Sequence, residues 1–369
     1  MSAQLNELAT HLARRIAQEG PLNLADYMGE ALFHPGLGYY MSGDPLGRRG
    51  DFITAPEISQ VFGELIGLWC AVTWRQMGAP GEINLVELGP GRGTLMRDAL
   101  RAAGSVEGFA GAVQPYLMEI SPNLRAIQKE TLANGYVQPK WADHFAQIPE
   151  GPLLVLGNEF FDALPIRQLV RAGSGWCERM VDMDPSGEGF RYGLSPPSPL
   201  CQALVPQALS QAKEGDVVEI RPAAEAIIQA IAKAILEDGG AALIIDYGPG
   251  ESATGDSFQA LSHHQYCDPL ADPGRADLTA HLDFQGLGRT AEEAGLKRFG
   301  PLGQGAFLKS LGIDERTNKL CENAAEDEAQ TLRSGSDRLT APGEMGDLFK
   351  VLALTHPAQP PPAGFEGCP

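Results

Sequence analysis

Paired cysteines and cysteine-rich motifs are missing from this 369-residue sequence. Its six cysteines are scattered, with no C-x-x-C pair and no histidine at zinc-ligand spacing. We therefore predict reduced thiols, no metal site and a cytoplasmic location. No run reaches the roughly 18 apolar residues that cross a bilayer, and the first residues lack the apolar segment of a secretory signal, so neither membrane insertion nor export is expected.

Positive charge is also scarce, because 28 lysines and arginines stand against 47 acidic residues, for a net charge of −19. A chain this acidic repels polyphosphate, which excludes nucleic acid and anionic membranes as favoured partners. A cationic substrate fits it better. The G-x-S-x-G, H-E-x-x-H and P-loop motifs are absent, and His263, His264 and His281 have no third ligand at a fixed spacing.

Glycine and proline are abundant, at 44 and 28 residues, and they divide the chain into regions of different texture. Residues 1–80 are predicted to form a helical segment with a glycine-rich loop at 34–56. Loops of this length are usually functional. Residues 81–357 alternate short apolar runs with helices, which is typical of a parallel α/β sheet. Within them, 165–220 predicts a β-hairpin insertion, and residues 358–369 predict a loose proline-rich tail.

A glycine-rich turn follows the first strand of the α/β region, in the segment VELGPGRGT at 86–94. Its acidic residue and glycines are Glu87, Gly89, Gly91 and Gly93. Glycine lets the backbone turn sharply and lets a nucleoside approach closely, while the following helix N-terminus favours polar groups. A dinucleotide fingerprint needs a further glycine where Thr94 stands, so the order favours S-adenosylmethionine over a nicotinamide cofactor.

Acidic residues also end the next two predicted strands. Glu119 is placed to accept hydrogen bonds from both ribose hydroxyls of a nucleoside, and a surface residue before a helix is the less favoured alternative. Asp143 stands where an adenine amino group is commonly held, and a helix cap is the alternative. Both residues are predicted to bind the cofactor.

The fourth strand of the α/β region ends in GNEFFDALP at 157–165, where strand ends of an open α/β sheet face the ligand crevice. Asn158, Glu159 and Asp162 are the predicted catalytic residues, because carboxylates can hold and orient a guanidinium. Phe160 and Phe161 could stack on the cation or belong to the core.

The motifs taken together resemble the MidA-like family of S-adenosylmethionine-dependent methyltransferases, from about residue 20 to 356. The segments that carry the resemblance are GYYMSGDPLGRRGDFITAPEISQVFGELIGLW, VELGPGRGTLMRDALR, EISPNLRAIQ, NEFFDALPIRQ, LIIDYG, ADLTAHLDF and MGDLFKVL. The resemblance implies a class I methyltransferase fold, S-adenosylmethionine as methyl donor, and symmetric dimethylation of a protein arginine on a core subunit of respiratory complex I. The N-terminus departs from the mitochondrial members because it shows no clear presequence, which favours a bacterial cytoplasmic relative.

We therefore expect an α/β protein: a class I methyltransferase, Rossmann-like doubly wound sheet of seven strands with an N-terminal helical segment and a β-hairpin insertion. Tyr39, Tyr40, Asp51 and Phe52 are predicted to form a lid over the substrate. The alternatives are a non-catalytic S-adenosylmethionine-binding assembly factor that chaperones a basic subunit, and a methyltransferase for a small cationic molecule. The sequence leaves the oligomeric state open.

Overall fold

The computed structural model describes residues 5–42, 53–173 and 175–367. Contacts between residues divide the chain into two compact units, and each unit is assembled from three separate stretches. The first unit draws on 1–52, 162–225 and 251–281, and the second on 53–161, 226–250 and 282–369. The boundaries predicted at residues 80 and 357 follow composition instead, and they cut the chain at different places.

The β-strands of the described residues number fifteen in chain order. They are β1 (Leu22–Asn23), β2 (Ile83–Leu88), β3 (Val113–Met118), β4 (Lys140–Ala142), β5 (Leu153–Asn158), β6 (Arg167–Ala172), β7 (Gly175–Met183), β8 (Phe190–Leu194), β9 (Val217–Ile220), β10 (Gly240–Tyr247), β11 (Gln259–Ser262), β12 (Gln265–Cys267), β13 (Asp277–Thr279), β14 (Lys297–Gly303) and β15 (Phe349–Thr355).

The α-helices of the same residues are fourteen. They are α1 (Glu7–Glu19), α2 (Leu24–Phe33), α3 (Ala55–Ile58), α4 (Gln60–Gln76), α5 (Thr94–Ala103), α6 (Phe109–Ala112), α7 (Pro122–Leu132), α8 (Pro199–Leu204), α9 (Pro222–Asp238), α10 (Phe284–Glu293), α11 (Gln304–Ser310), α12 (Ile313–Cys321), α13 (Glu326–Thr340) and α14 (Met345–Leu348). None of them is long and apolar enough to cross a membrane.

The second unit is built on a seven-stranded sheet in the order β14-β15-β10-β5-β2-β3-β4. The pairs β10–β5, β5–β2, β2–β3 and β3–β4 are parallel, while β15 runs antiparallel to both of its neighbours. The interior strands β2, β5 and β10 are apolar and buried along most of their length, as expected when both faces of a parallel sheet are covered. The predicted seven-stranded, mostly parallel sheet is confirmed.

One predicted helix of the second unit is split in two. The sequence predicts a single helix over 57–77, but α3 ends at Ile58, and α4 begins at Gln60. Ser59 between them is extended, with φ −151°, and its hydroxyl accepts the backbone N–H of Val61 as the N-cap of α4. A serine that caps a helix competes with continuation of the helix before it, which explains the break.

The C-terminal residues differ from the loose tail that the sequence predicts. Phe365 is fully buried in the core of the second unit, against the rings of Phe299 and Phe307. The indole of Trp69 donates to the Ala363 carbonyl at 3.1 Å. The proline-rich composition therefore gave no sign that Phe365 anchors this segment. Burial of a phenylalanine side chain contributes about 2 kcal/mol or more to the free energy of unfolding.

The first unit contains the predicted insertion over 165–220. Strands β6, β7, β8 and β9 form an antiparallel sheet, and the short β1 from the N-terminal segment pairs with β7. A second sheet of β12, β11 and β13 places two short strands within the segment 262–284, where the sequence predicts only a long loop. His263 and His264, with φ 51° and 59°, form the two-residue turn between β11 and β12, and this assigns them to a hairpin.

The segment between α10 and β15 also holds elements that the sequence does not predict. β14 is an edge strand interrupted by Gly300 and Pro301, and its register with β15 shifts between Phe299 and Leu302. Glycine and proline within a run argue against a strand, although an edge position tolerates both. The sequence pattern therefore missed β14, because an edge strand needs backbone hydrogen bonds on one side only and tolerates glycine and proline.

Candidate cofactor and active site

The glycine-rich turn of the second unit adopts the backbone conformation that its glycines permit. β2 ends at Leu88, and Gly89, Gly91 and Gly93 then have φ values of 57°, 53° and 80° before α5 begins. These angles lie in the left-handed region, which side chains with a Cβ adopt only at a cost. The N–H groups at the start of α5 follow directly, in the arrangement that favours polar or anionic ligands.

The first glycine of this turn is required by a close approach as well as by its φ angle. A Cβ added at Gly89 would lie 2.7 Å from the ring of Phe160, in the segment that follows β5. The glycine turn and the post-β5 segment therefore pack against each other. Phe160, which the sequence leaves between stacking and core, contributes to this packing.

Glu87 lies inside the second unit, beneath the glycine turn. It is 3% exposed, and its carboxyl group accepts the backbone N–H of Met96 in the first turn of α5. The N-cap of α5 is Gly93, which has no side chain that could cap the helix. Glu87, on the preceding strand β2, therefore performs that function. Burial raises the pKa of Glu87 well above its ordinary value, and its Oε2 has no hydrogen-bond partner. Its predicted contact with a cofactor stays a prediction.

Glu119 follows β3 and is 8% exposed. Its carboxylate accepts the Ser121 N–H at 2.8 Å and the Gln128 side-chain amide at 3.1 Å. Burial raises the pKa of Glu119, while these two hydrogen bonds oppose that increase. The next residue, Ile120, is 44% exposed, an apolar side chain presented beside the acid that the sequence reasoning did not single out.

Asp143 follows β4 and is half exposed, with its carboxylate paired to Arg125 at 2.8 Å. Arg125 also donates to the Glu119 backbone carbonyl at 2.8 Å through Nε, so one guanidinium joins the ends of β3 and β4. The Asp143 N–H is bonded to the Gln147 side chain. The structure thus brings Asp143 to the same sheet edge as Glu119, while its predicted role toward adenine stays a prediction.

Asn158 ends β5 and Glu159 follows it, directly beside the strand that leads into the glycine turn. In the parallel register, Leu88 of β2 pairs with Gly157 of β5. Glu159 has φ 50°, a left-handed conformation that is unusual for a residue with a long side chain. Its N–H donates to the Ile245 carbonyl at 2.9 Å, and its Oε1 accepts the Asn158 amide at 3.2 Å. Strain held in place by surrounding structure is common at functional sites.

The short helix α3 is tied to both of these features. The Ala55 N–H donates to Glu159 Oε1 at 3.1 Å, and the Thr94 hydroxyl donates to the Glu57 carboxylate. Helix α3 is thereby linked to the post-β5 acid and to the start of α5. The sequence reasoning used Thr94 only to exclude a nicotinamide cofactor, and it did not single out Glu57.

Asp246, in LIIDYG near the end of β10, is another residue that sequence reasoning passed over. It is fully buried, and its carboxylate accepts the Phe161 N–H at 3.1 Å and the N–H of Tyr247 at 2.9 Å. It therefore fixes the backbone just after Glu159. The available signal was an acid at the end of an otherwise apolar strand, the same pattern that identified Glu87.

The third predicted catalytic residue, Asp162, belongs to the first unit, where it is 5% exposed. Its backbone carbonyl accepts the N–H of Ala280 at 3.2 Å and the guanidinium of Arg221 at 3.4 Å. Arg221 is itself buried and also donates to the carbonyls of Leu164, Ala280 and His281. This guanidinium thus holds the chain around Asp162.

Two of the predicted lid residues also lie in the first unit. Tyr39 is buried and packs edge-on against the ring of Tyr40 at 5.2 Å, and the Tyr40 hydroxyl donates to the buried carboxylate of Asp277 at 2.8 Å. Burial, together with Asp277 and Asp162, raises the pKa of Tyr40 well above its ordinary value. Asp51 and Phe52 lie outside the described residues, so the lid stays a prediction.

Among the described residues, one group of side chains has metal-ligating atoms close together. Nitrogens of His11 and His34 and a carboxylate oxygen of Glu30 lie within 4.8 Å of one another in the first unit. Arg15 already pairs with Glu30 at 3.1 Å. A guanidinium at that distance opposes a divalent cation, so we assign the group to packing of α1 against α2.

Comparison with known proteins identifies the family of this fold and glycine turn. The sequence model of Methyltransf_28, an S-adenosyl-L-methionine-dependent methyltransferase family, matches residues 65–302. The chain belongs to this MidA-like family. It is therefore an S-adenosylmethionine-dependent methyltransferase, and S-adenosylmethionine is its cofactor.

Relatives of this methyltransferase match over nearly the whole chain. The protein arginine methyltransferase NDUFAF7, mitochondrial, of Danio rerio is 39% identical over 382 residues, covering 97% of this chain and 89% of its own. The Homo sapiens protein of the same name is 38% identical, covering 93% of this chain and 82% of its own. A likely methyltransferase of the COG1565 superfamily from Burkholderia thailandensis, solved with S-adenosyl-homocysteine bound, has a TM-score of 0.82 at 29% identity and covers 98% of this chain and 95% of its own.

The residues of the methyltransferase fit its cofactor chemically. The left-handed glycine turn leaves the start of α5 open to polar groups, and the buried Glu119 offers a carboxylate to hydroxyl donors. The exposed Ile120 offers an apolar surface beside it, suited to the face of a base.

Proposed function

We propose that this methyltransferase transfers methyl groups to the guanidinium of an arginine in a protein, with a subunit of respiratory complex I as the target and symmetric dimethylarginine as the product. The names of the Danio rerio and Homo sapiens relatives support the substrate class. The net charge of −19 supports a basic partner. The bacterial cytoplasm is the proposed compartment, which the free thiols support. The free cysteines among the described residues are Cys70, Cys177, Cys201, Cys267 and Cys321.

The observation that carries the proposal is the position of Glu159. It is held in a left-handed conformation by the Ile245 carbonyl and the Ala55 N–H, at the end of the strand beside the glycine turn. A buried or partly buried carboxylate held rigidly can orient a planar guanidinium through paired hydrogen bonds. Backbone strain at this one acid favours a functional role over a structural one.

The cofactor is proposed to be held by four positions of the second unit. Gly89, Gly91 and Gly93 would allow its amino-acid part to approach the start of α5, and Glu119 would accept the ribose hydroxyls. When bound, S-adenosylmethionine supplies a methyl group on a positively charged sulfur.

Glu159, with Asn158 beside it, would orient the substrate. The catalytic role of Asp162 in the first unit stays a prediction. A guanidinium nitrogen forms the new N–C bond while the S–C bond breaks, and one N–H proton is released. The positive charge that was on sulfur therefore leaves as that proton, which an adjacent carboxylate can accept. Catalysis of this kind consists mainly of positioning and electrostatic stabilisation.

The test compares complex I subunits from cells with and without the gene by mass spectrometry for methylarginine. We expect a dimethylarginine that disappears on deletion, returns with the wild-type gene, and does not return with Glu159→Gln. The matched in vitro measurement is S-adenosylmethionine binding by titration, which Glu119→Ala should weaken strongly but measurably and Glu159→Gln should leave intact. Binding without any methylarginine difference would reject the arginine substrate and favour the assembly-factor or small-molecule alternatives.

A further inference from the structure

Gln128 is a fully buried side chain that connects three elements around the glycine turn. It lies on α7. Its Oε1 accepts the indole N–H of Trp141 on β4 at 2.8 Å, and its Nε2 donates to the Gly91 carbonyl at 2.8 Å and to Glu119 at 3.1 Å. All three neighbours belong to the second unit, and two of them are proposed cofactor residues.

The orientation of the Gln128 amide follows from the chemistry of its neighbours. An indole N–H can only donate, so the amide oxygen must face Trp141. The amide nitrogen must then face the other way, where the Gly91 carbonyl and the Glu119 carboxylate both accept. Reversal of the amide would place two donors together at Trp141 and acceptors against acceptors at the other end, which would leave buried groups unsatisfied.

This arrangement acts on the two groups that a nucleoside would meet. A donor at 3.1 Å favours the ionised form of Glu119 and holds one of its oxygens, so the carboxylate is ready to accept hydroxyl donors. The hydrogen bond to the Gly91 carbonyl fixes the middle of the glycine turn. Interactions formed before a ligand arrives reduce the ordering cost of binding.

We propose that Gln128 is a positioning residue for S-adenosylmethionine, oriented by Trp141, which holds the Glu119 carboxylate and the Gly91 carbonyl in their binding arrangement. The inference rests on the proposed assignment of Glu119 to the ribose. Gln128 makes no contact with the reacting atoms. Its effect is therefore on cofactor affinity.

The test is titration calorimetry with S-adenosylmethionine and S-adenosylhomocysteine on the full chain. Gln128→Met keeps the length of the side chain and removes the amide. We expect it to weaken both ligands about tenfold, as the loss of a hydrogen bond to a charged group does. The matched control is Gln304→Met, because Gln304 is equally buried in the second unit and donates to the Leu339 carbonyl instead. That control should change affinity less than about twofold.

A double-mutant cycle separates positioning from general destabilisation. In a Glu119→Ala background there is no carboxylate for Gln128 to hold. Adding Gln128→Met to it should therefore change the logarithm of the Kd by less than about half of the change that it causes in the wild type. A fully additive loss of affinity would overturn the inference while leaving the proposed cofactor site intact.

Two further variants give readouts that a purely structural role would not change. Gln128→Glu accepts from Trp141 but faces Glu119 with a second carboxylate, so its affinity should fall relative to that of the wild type as pH rises from 5 to 8. Trp141→Phe removes the orienting donor and should weaken binding about threefold. Both variants keep the test open if Gln128→Met does not fold.

The failures of this inference and of the proposed site are distinguishable. If Gln128→Met behaves like Gln304→Met, or if Gln128→Glu shows no pH dependence beyond that of the wild type, Gln128 is a core residue and the inference is wrong. If Glu119→Ala binds the cofactor as the wild type does, the proposed cofactor site is wrong, and this inference is rejected with it.

Discussion

The carboxyl group of Glu87 accepts the backbone N–H of Met96 and thereby caps a helix that begins at a glycine. Burial raises the pKa of Glu87 well above 4.5, so the folded protein keeps a proton there that the unfolded chain has released. At pH values between the pKa of Glu87 in the unfolded chain and its pKa in the folded protein, the folded protein binds more protons than the unfolded chain. The free energy of unfolding contributed by this group therefore falls as pH rises through that window.

Glu87→Gln should remove that pH dependence, because an amide has the same shape and does not ionise. We expect the variant to be more stable than the wild type above about pH 5, with a difference that grows by up to about 1.4 kcal/mol per pH unit. Urea unfolding at pH 5, 6, 7 and 8 measures it, with the exposed Glu82→Gln as control. Parallel curves for Glu87→Gln and the wild type would show that the group is ionised when folded.

Glu159→Asn should separate stability from activity. Asparagine tolerates the left-handed conformation that Glu159 adopts, which offsets part of the loss of the hydrogen bonds from the Ala55 N–H and the Asn158 amide, so unfolding free energy should fall by no more than about 2 kcal/mol. Methyl transfer should fall at least about tenfold, because the carboxylate is lost. Ala79→Gly is the matched control, since Ala79 has φ 52° in the same unit, and it should gain stability without losing activity. A Glu159→Asn protein with full turnover would exclude Glu159 from the active site.

Tyr40→Phe tests the hydrogen bond to Asp277 in the first unit. The hydroxyl donates to a carboxylate that is 5% exposed, so its removal should lower unfolding free energy by about 1.5–3 kcal/mol. Combined with Asp277→Asn, the two losses should be smaller than their sum, because they remove one interaction. Denaturant titrations of the four proteins give the coupling energy, and strict additivity would argue that the two residues do not interact.

Phe365→Ala should destabilise the second unit by about 3–5 kcal/mol, as expected for a fully buried phenylalanine. Phe365→Leu should lose much less, because most of the apolar volume remains. Thermal unfolding of the two variants compares them. A loss below about 0.5 kcal/mol for Phe365→Ala would restore the loose tail that the composition predicted.

The sequence predicted the central sheet well because buried parallel strands leave an unambiguous signal. The runs around β2, β5 and β10 are apolar along most of their length and have glycines or acids near their ends. β14 carried no such signal, since an edge strand that contains Gly300 and Pro301 has the composition of a loop. The break at Ser59 was likewise local, a capping hydroxyl within an otherwise helical run.

Site residues could be predicted from the sequence where the residue type alone indicates the role. They were missed where the role depends on neighbours that are distant in sequence. Glycines with left-handed φ and an acid at a strand end can be read from spacing. Gln128 could not be predicted, because its importance comes from Trp141, Gly91 and Glu119, which only the fold brings together. Glu57 was missed for the same reason. Asp246 carried the strand-end signal of Glu87 and was passed over.

The last strand of the chain has a consequence for biosynthesis. β15 lies inside the seven-stranded sheet, between β10 and β14, although it is made after every other strand. Until residues 349–355 have left the ribosome, β10 and β14 have no partner on the sides that β15 will occupy, and their backbone groups are open to other chains. The second unit therefore completes its sheet only after residues 349–355 have been synthesised, so nascent chains arrested before this point expose two strand edges that chaperones must cover.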